Sequence, residues 1–263
     1  MLLKKFLNSL RQKLVFSLSS GNSCIFLGFY KYVYRPSPGS LAFEIDRLSK
    51  KYSDFFVLQI GANDGITHDP VHKFIKRDQW NGILLEPQKD VFDKFLRPLY
   101  QNQKGIKTIH AALGHHEGEA TIFRIGFSTA RWATGLTSFN KKVLENAFAS
   151  GHVARQAKKQ GIAIPDAPAD WIVEEKVPVI TVQGLTNKFK ISKIDLLQID
   201  TEGFDYEIIQ MFDFGKLRPK AISYENSHLS AEDRDACEEL LSTSGYRLMH
   251  FGGNTLALSM ELI

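Results

Sequence analysis

Acidic residues are missing from the first 43 positions, although the 263-residue chain carries 29 Asp and Glu in all. The same stretch holds Lys4, Lys5, Arg11, Lys13, Lys31 and Arg35, so it contributes +6 to a formal net charge of +4 and leaves −2 for everything after it. A near-neutral body lacks the broad basic surface of a nucleic-acid binder, and no nucleic-acid partner is expected. Cysteine is scarce: Cys24 and Cys237 lie far apart and form no metal-spaced pair. That excludes a disulfide framework and a cysteine-based zinc site, and points to a reducing, cytoplasmic setting. No apolar run approaches the ~20 residues a membrane-spanning helix needs. What remains is an ordinary globular composition, 43% hydrophobic and 24% charged, enough for one large domain with an appendage.

Residues 1–40 read as that appendage with its linker, and 41–263 as the main domain. Leu2, Leu3, Phe6, Leu7, Leu10, Leu14, Phe16 and Leu18 recur largely at helical spacing among Lys4, Lys5, Arg11 and Lys13. The result is an apolar stripe backed by a basic face. Two kinds of partner are open for it: protein, either its own domain or a second copy, or an anionic membrane surface to which the chain would be peripheral. The interrupted apolar pattern without a small-residue cleavage site does not fit a signal peptide. Arg35-Pro36-Ser37-Pro38-Gly39-Ser40 reads as the linker.

The main domain alternates strand and helix. A helix over 41–52 leads into the apolar run 55–60, which ends on Gly61-Ala62-Asn63-Asp64-Gly65. Asp69-Pro70 reads as the cap and first position of a helix running to Arg77. The short strand Ile83–Glu86 follows, then a helix over 88–98 and a third strand over 106–113. A tight turn at 114–118 feeds a hairpin strand, 119–125. Residues 127–172 interrupt the pattern with a polar loop and a helix from about 140 to 160, an insertion expected to cover the active site. Alternation resumes with a strand over 176–182, the apolar run Ile194–Asp200, a turn at Thr201-Glu202-Gly203 and the strand Ala221–Tyr224. Ser230 reads as the N-cap of the helix that follows. Two last strands, 246–250 and 254–259, are joined so tightly that they must be antiparallel. The fold class is therefore α/β, a doubly wound Rossmann-like sheet, mostly parallel with a C-terminal antiparallel hairpin.

In such sheets ligands bind beyond the carboxyl ends of the strands. Those ends carry the glycine turn, Glu86, Ala111 and Ala112, Asp200 and Glu202, and Glu225-Asn226. Glu86 lies 21 residues beyond Gly65, the distance at which an acid meets the ribose hydroxyls of a nucleoside. A dinucleotide turn would have glycine where Asn63 stands, and the Asp64 carboxylate would repel a pyrophosphate. The same carboxylate suits a cationic sulfonium, so S-adenosylmethionine is favoured over NAD.

Gln59-Ile60-Gly61-Ala62-Asn63-Asp64-Gly65, Glu86-Pro87 and Gln198-Ile199-Asp200-Thr201-Glu202-Gly203-Phe204 together resemble the FkbM family of methyltransferases, over about residues 53–260. The resemblance implies a class I fold, S-adenosylmethionine as cofactor, and most often methylation of a hydroxyl on a sugar, glycan, polyketide or related small molecule. Gln59 departs from the class pattern, which has an acid there. Cofactor contacts are expected from Gly61, Ala62, Asn63, Asp64, Gly65, Glu86, Pro87 and Ala112, and catalysis from Asp200, Glu202 and His228. Asp200, Glu225 and Asn226 resemble the magnesium ligands of catechol-type O-methyltransferases, and Mg2+ there would lower the pKa of the substrate hydroxyl. His228 as general base is the alternative to the metal, while Asp200 and Glu202 could instead fix the turn. Two other functions stay open: an NAD-dependent oxidoreductase and a non-catalytic Rossmann-like binding module.

Overall fold

The computed structural model describes residues 2–262. Seven strands form the main sheet: β1 (Phe56–Ile60), β2 (Asn81–Leu85), β3 (Ile106–Ile109), β7 (Leu196–Ile199), β8 (Ala221–Glu225), β9 (Tyr246–Phe251) and β10 (Asn254–Ser259), in the order β3-β2-β1-β7-β8-β10-β9. The first five pair in parallel, and β10 runs antiparallel to both β8 and β9. The two strongest apolar runs, β1 and β7, pair at the centre because only there are both faces of a strand covered. Strand alternation sends Leu58, Ile60, Leu197 and Ile199 into the core on one face, and Val57 and Leu196 into the core on the other with Phe74, Trp80, Leu96 and Leu99. The chain winds outward from β1 to β3 and returns beside β1 at β7. The crevice beyond the carboxyl ends of those two central strands is thus the switch point where ligands bind.

The third strand is shorter than its sequence suggests. It stops at Ile109, the chain kinks as the Ala111 amide donates back to the Ile109 carbonyl (3.1 Å), and Ala112–Leu113 (β4) leaves the main sheet. There β4 joins β5 (Gly118–Ile125) and β6 (Ile172–Ile180) in a second sheet of order β4-β6-β5. β6 begins ahead of the expected 176 and pairs antiparallel with β5, so it does not resume the crossover pattern. The helix after the glycine turn starts at His72, not at Pro70. Asp69 caps it from outside, its Oδ1 accepting from the amides of Val71 (2.7 Å) and His72 (2.6 Å). The helix expected over 88–98 is Lys89 to Tyr100, with a π turn at Phe92–Leu96. Between β5 and β6 the expected long helix is two, Lys141–Ala149 and His152–Gln160, separated where Gly151 adopts φ +71°.

The amino-terminal segment forms a helix, Leu2–Ser20, then a second, Cys24–Gly28, that continues as a π turn to Val33. Its inner side is packed on the main domain. Ser19 is fully buried with its hydroxyl 3.0 Å from His72 Nε2, and His72 Nδ1 lies 2.9 Å from the Tyr100 hydroxyl, which donates to the Gly65 carbonyl at 3.3 Å. Burial pushes His72 down to about 3, helped by Lys76 and Lys73, so its ring is neutral. Because Tyr100 donates to Gly65, its oxygen accepts from Nδ1–H and Nε2 accepts from Ser19. One directed chain therefore runs from the appendage to the glycine turn. Ser19→Ala leaves His72 Nε2 buried without its donor, at about 1–3 kcal/mol. A melting midpoint lower by roughly 2–4 °C per kcal/mol is the expected result. An unchanged midpoint would show that the bond contributes nothing.

Candidate active site at the carboxyl ends of the central strands

The glycine turn is wedged between β2 and β7. Gly61 has φ +79°, and a Cβ there would overlap the carbonyl oxygen of Asp200, so this position demands glycine twice over. The amides of Gly61 and Ala62 both donate to the Leu85 carbonyl, at 3.1 and 2.8 Å. Asn63 occupies the left-handed region at φ 47°, which asparagine tolerates better than most residues. Its amide donates to Glu86 Oε2 at 2.7 Å, while Glu86 Oε1 accepts from the amide (2.8 Å) and side chain (3.2 Å) of Gln88. Burial is the main influence on Glu86 and lifts it to about 7 against these bonds and the nearby Arg131 charge.

Gly61, Asn63, Glu86 and Pro87 form one wall of a tight cleft of about 50 Å³, its walls standing close together. Ala111, Ala112, Leu113, Ile122 and Phe139 form an apolar side, and Asp200, Thr201 and Glu202 close the far end. The insertion supplies the lid. The Thr134 carbonyl accepts from Asn63 Nδ2 (3.1 Å) and Gln88 Nε2 (3.0 Å), latching the Arg131–Thr134 turn over the cofactor loop. The second sheet, which the sequence pattern did not reveal, carries Ala112 and Ile122 into this wall.

Three residues expected to touch a cofactor lie off the cleft wall. Ala62 is buried in the core opposite, and Gly65 backs onto Leu96, Leu99 and Tyr100. Asp64 turns inward on its own loop, where Oδ1 accepts from the amides of Ile66 (3.0 Å) and Thr67 (2.8 Å), and Oδ2 lies 3.8 Å from Arg131 Nε. The carboxylate ties down the turn and is not among the residues lining the cleft. Gln59 also has a local partner, donating to Asp69 Oδ2 at 2.8 Å.

At the ends of β7 and β8 an acidic group assembles. Glu202 holds φ 52° beyond β7 and its Oε2 lies 3.0 Å from His228 Nε2. Carboxylate oxygens of Glu202 and Glu225 and a ring nitrogen of His228 all lie within 4.8 Å of one another. The hydrogen bond and charge of Glu202 raise His228 to about 9, against its partial burial. At neutral pH the ring therefore keeps its proton, which removes His228 as the resting general base. Burial, then the charge of Glu202, raises Glu225 to about 7, with His228 opposing. Burial and the charges of Glu202, Glu225 and Asp205 hold Asp200 well above the carboxylate range, although its side chain opens onto solvent in the cleft, which moderates the rise.

Asn226 Nδ2 donates to Thr255 Oγ1 at 3.0 Å on the neighbouring strand β10, and the trio of possible ligands that gathers among the described residues is Glu202, Glu225 and His228. The residue that sequence reasoning missed is Asp205, fully buried, whose carboxylate accepts from Thr201 N (3.2 Å), Thr201 Oγ1 (2.8 Å) and the Glu225 amide (3.0 Å). It ties the β7 turn to the end of β8 and so sets the distance between Glu202 and Glu225. Its place five residues beyond Asp200, at the start of a helix, was the available signal.

A second, wider groove of about 490 Å³ shares Arg131, Gly135 and Glu202 with the cleft and has His228 among its lining residues. Trp132, Val143, Asn146, His152 and Gln156 of the insertion line it. Cleft and groove thus meet at the acidic group.

The His228–Glu202 pair carries a pH signature. A histidine raised from 6.5 to about 9 contributes stability that is complete below 6.5 and is lost as pH rises through 9. The melting midpoint should fall between pH 6.5 and 9, and His228→Asn should flatten that slope. A slope unaltered by the substitution would assign it elsewhere.

A parallel sheet with a C-terminal antiparallel hairpin, a glycine turn after β1 and a buried acid after β2 define a Rossmann-like class I methyltransferase. The Methyltransferase FkbM domain model matches residues 59–248. The chain belongs to the FkbM family of S-adenosylmethionine-dependent methyltransferases. Among solved structures, methyltransferase FkbM from Methylobacillus flagellatus KT is similar at 12% identity and TM-score 0.46, over 88% of this chain and 50% of that one. Precorrin-6y C5,15-methyltransferase from Geobacter metallireducens GS-15 is similar at 10% identity and TM-score 0.40, over 86% and 92%. A human methyltransferase 10 domain containing protein is similar at 11% and 0.39, over 92% and 95%. No curated protein matches the sequence.

Proposed function

We propose that the protein transfers a methyl group to a hydroxyl oxygen of a sugar, glycan, polyketide or related small molecule. The observation that carries this reading is the Glu202–His228 pair where the cleft meets the groove under the insertion, with a Glu225 carboxylate oxygen within 4.8 Å of both. The residues present suit S-adenosylmethionine. Glu86 has lone pairs left for ribose hydroxyls, the Ala111–Leu113 side suits an adenine, and the Glu202 carboxylate at the far end favours a cationic centre. Thr137 Oγ1 lines the cleft, shielded from solvent and without a protein hydrogen-bond partner among the described residues, and so offers a further polar contact. When bound, the cofactor supplies an electrophilic methyl group. The chain's own task is then to orient the acceptor and take its proton. Glu225, with a pKa of about 7, is ionised in part of the population at neutral pH and suited to that role. Protonated His228 is held by Glu202 beside the site and balances its negative charge.

A second reading rests on the three donors within 4.8 Å. A divalent ion on Glu202, Glu225 and His228 would hold the acceptor oxygen in place of a base. Mg2+ favours oxygen ligands alone, so a set containing an imidazole suits it less than it suits Mn2+ or Zn2+. Supplying labelled S-adenosylmethionine to cell extracts and isolating the labelled product tests the function. Label in an ether linkage is expected, and label on nitrogen or carbon would overturn the O-directed reading. Full turnover in excess chelator leaves Glu225 as the base, whereas loss restored by added metal selects the metal.

A further inference from the structure

We infer that the outward face of the amino-terminal segment docks on an anionic lipid bilayer. Ile25 is 82% exposed, Tyr32 70%, Val33 63% and Phe29 48%, spaced so that a helix places them on one side. On the preceding helix Leu10 and Leu14, four residues apart, are 47% and 59% exposed. Among the described residues eight large hydrophobic side chains are exposed, and six of them belong to this segment. The apolar residues required to join the segment to the domain are already used: Tyr30 is 4% exposed, and Phe16 packs edge-on to Phe95 at 5.8 Å. The outer set has no such use within the domain.

Charge selects the occupant. Arg11, Lys13, Lys31 and Arg35 are exposed along the same segment, which has no acid before Glu44. Two copies meeting through this surface would bring Arg11, Lys13, Lys31 and Arg35 against the same four, which disfavours self-association, whereas anionic headgroups complement them. Among the described residues no helix is long and apolar enough to cross a membrane, so the segment would lie on the surface, its aromatic and aliphatic side chains at the headgroup boundary. Because Ser19, Asn22 and Tyr30 fasten the other side to the domain, the face is presented by a fixed element.

Flotation of the full chain with phosphatidylglycerol–phosphatidylcholine vesicles, against phosphatidylcholine alone, tests this. Binding to the anionic vesicles only, released by high salt, is expected. Lys13→Glu with Lys31→Glu should weaken it by at least about fivefold per charge removed. Ile25→Ser with Val33→Ser should weaken it by about tenfold or more. All four side chains are exposed, and unchanged melting curves would show that the variants remain folded. Absence of binding, or equal binding by the charge-reversed variant, would overturn the inference. So would a concentration-dependent dimer that Ile25→Ser and Val33→Ser dissolve while vesicles are ignored, since a second copy would then be the occupant.

Discussion

Gly61→Ala should abolish S-adenosylmethionine binding and destabilise the fold by at least about 3 kcal/mol. Two penalties combine at this position. The backbone sits at φ +79°, where an L side chain is strained, and the added methyl would overlap the Asp200 carbonyl oxygen. Neither can relax cheaply, because the Gly61 and Ala62 amides are bound to the Leu85 carbonyl and the Asp200 amide donates to Ile60 at 3.0 Å. Gly252→Ala is the control: φ is +63°, but nothing lies within 4 Å of where its methyl would sit, so only the conformational cost of about 1–2 kcal/mol applies. Melting curves and calorimetry on both variants check the contrast. Equal destabilisation would show that the wedge between β2 and β7 matters less than its geometry implies.

Glu225→Gln should lower kcat by roughly 10²–10⁴, the usual contribution of a positioned base, with little change in cofactor affinity. The wild-type rate should rise with pH through about 7 as Glu225 ionises, and fall above about 9 as His228 loses its proton. The variant should lose the acidic limb. His228→Asn should lose the alkaline limb while the acidic one persists, shifted because the positive charge that opposed the rise of Glu225 has gone. Rates measured from about pH 5.5 to about pH 10 with saturating cofactor decide this. An acidic limb that survives Glu225→Gln would move the base to Asp200, whose carboxyl is also raised.

The parts of this site legible in the sequence were those fixed by local chemistry. Two apolar runs ending on glycine turns announced the central strands, and an acid at the end of the next strand announced Glu86. Short connections forced the terminal hairpin. What escaped depends on contacts between distant segments. Residues 112–113 and 172–180 alternate as any strand does, and nothing local says that they pair with each other in a second sheet. Asn226 follows Glu225 directly, but its direction is set by Thr255 on the neighbouring strand. His228 looks like an ordinary base until Glu202, carried from another strand end at φ 52°, is placed 3.0 Å away. Gln59 departs from the class pattern, and its side chain is held by Asp69, ten residues on.

The assignment of the cleft to S-adenosylmethionine stands or falls on isothermal titration of the purified full chain with that cofactor and, separately, with NAD. Saturable one-to-one binding of S-adenosylmethionine is expected, weakened at least about tenfold by Glu86→Gln, with no heat from NAD. Binding of NAD, or binding of S-adenosylmethionine that Glu86→Gln leaves unchanged, would contradict it.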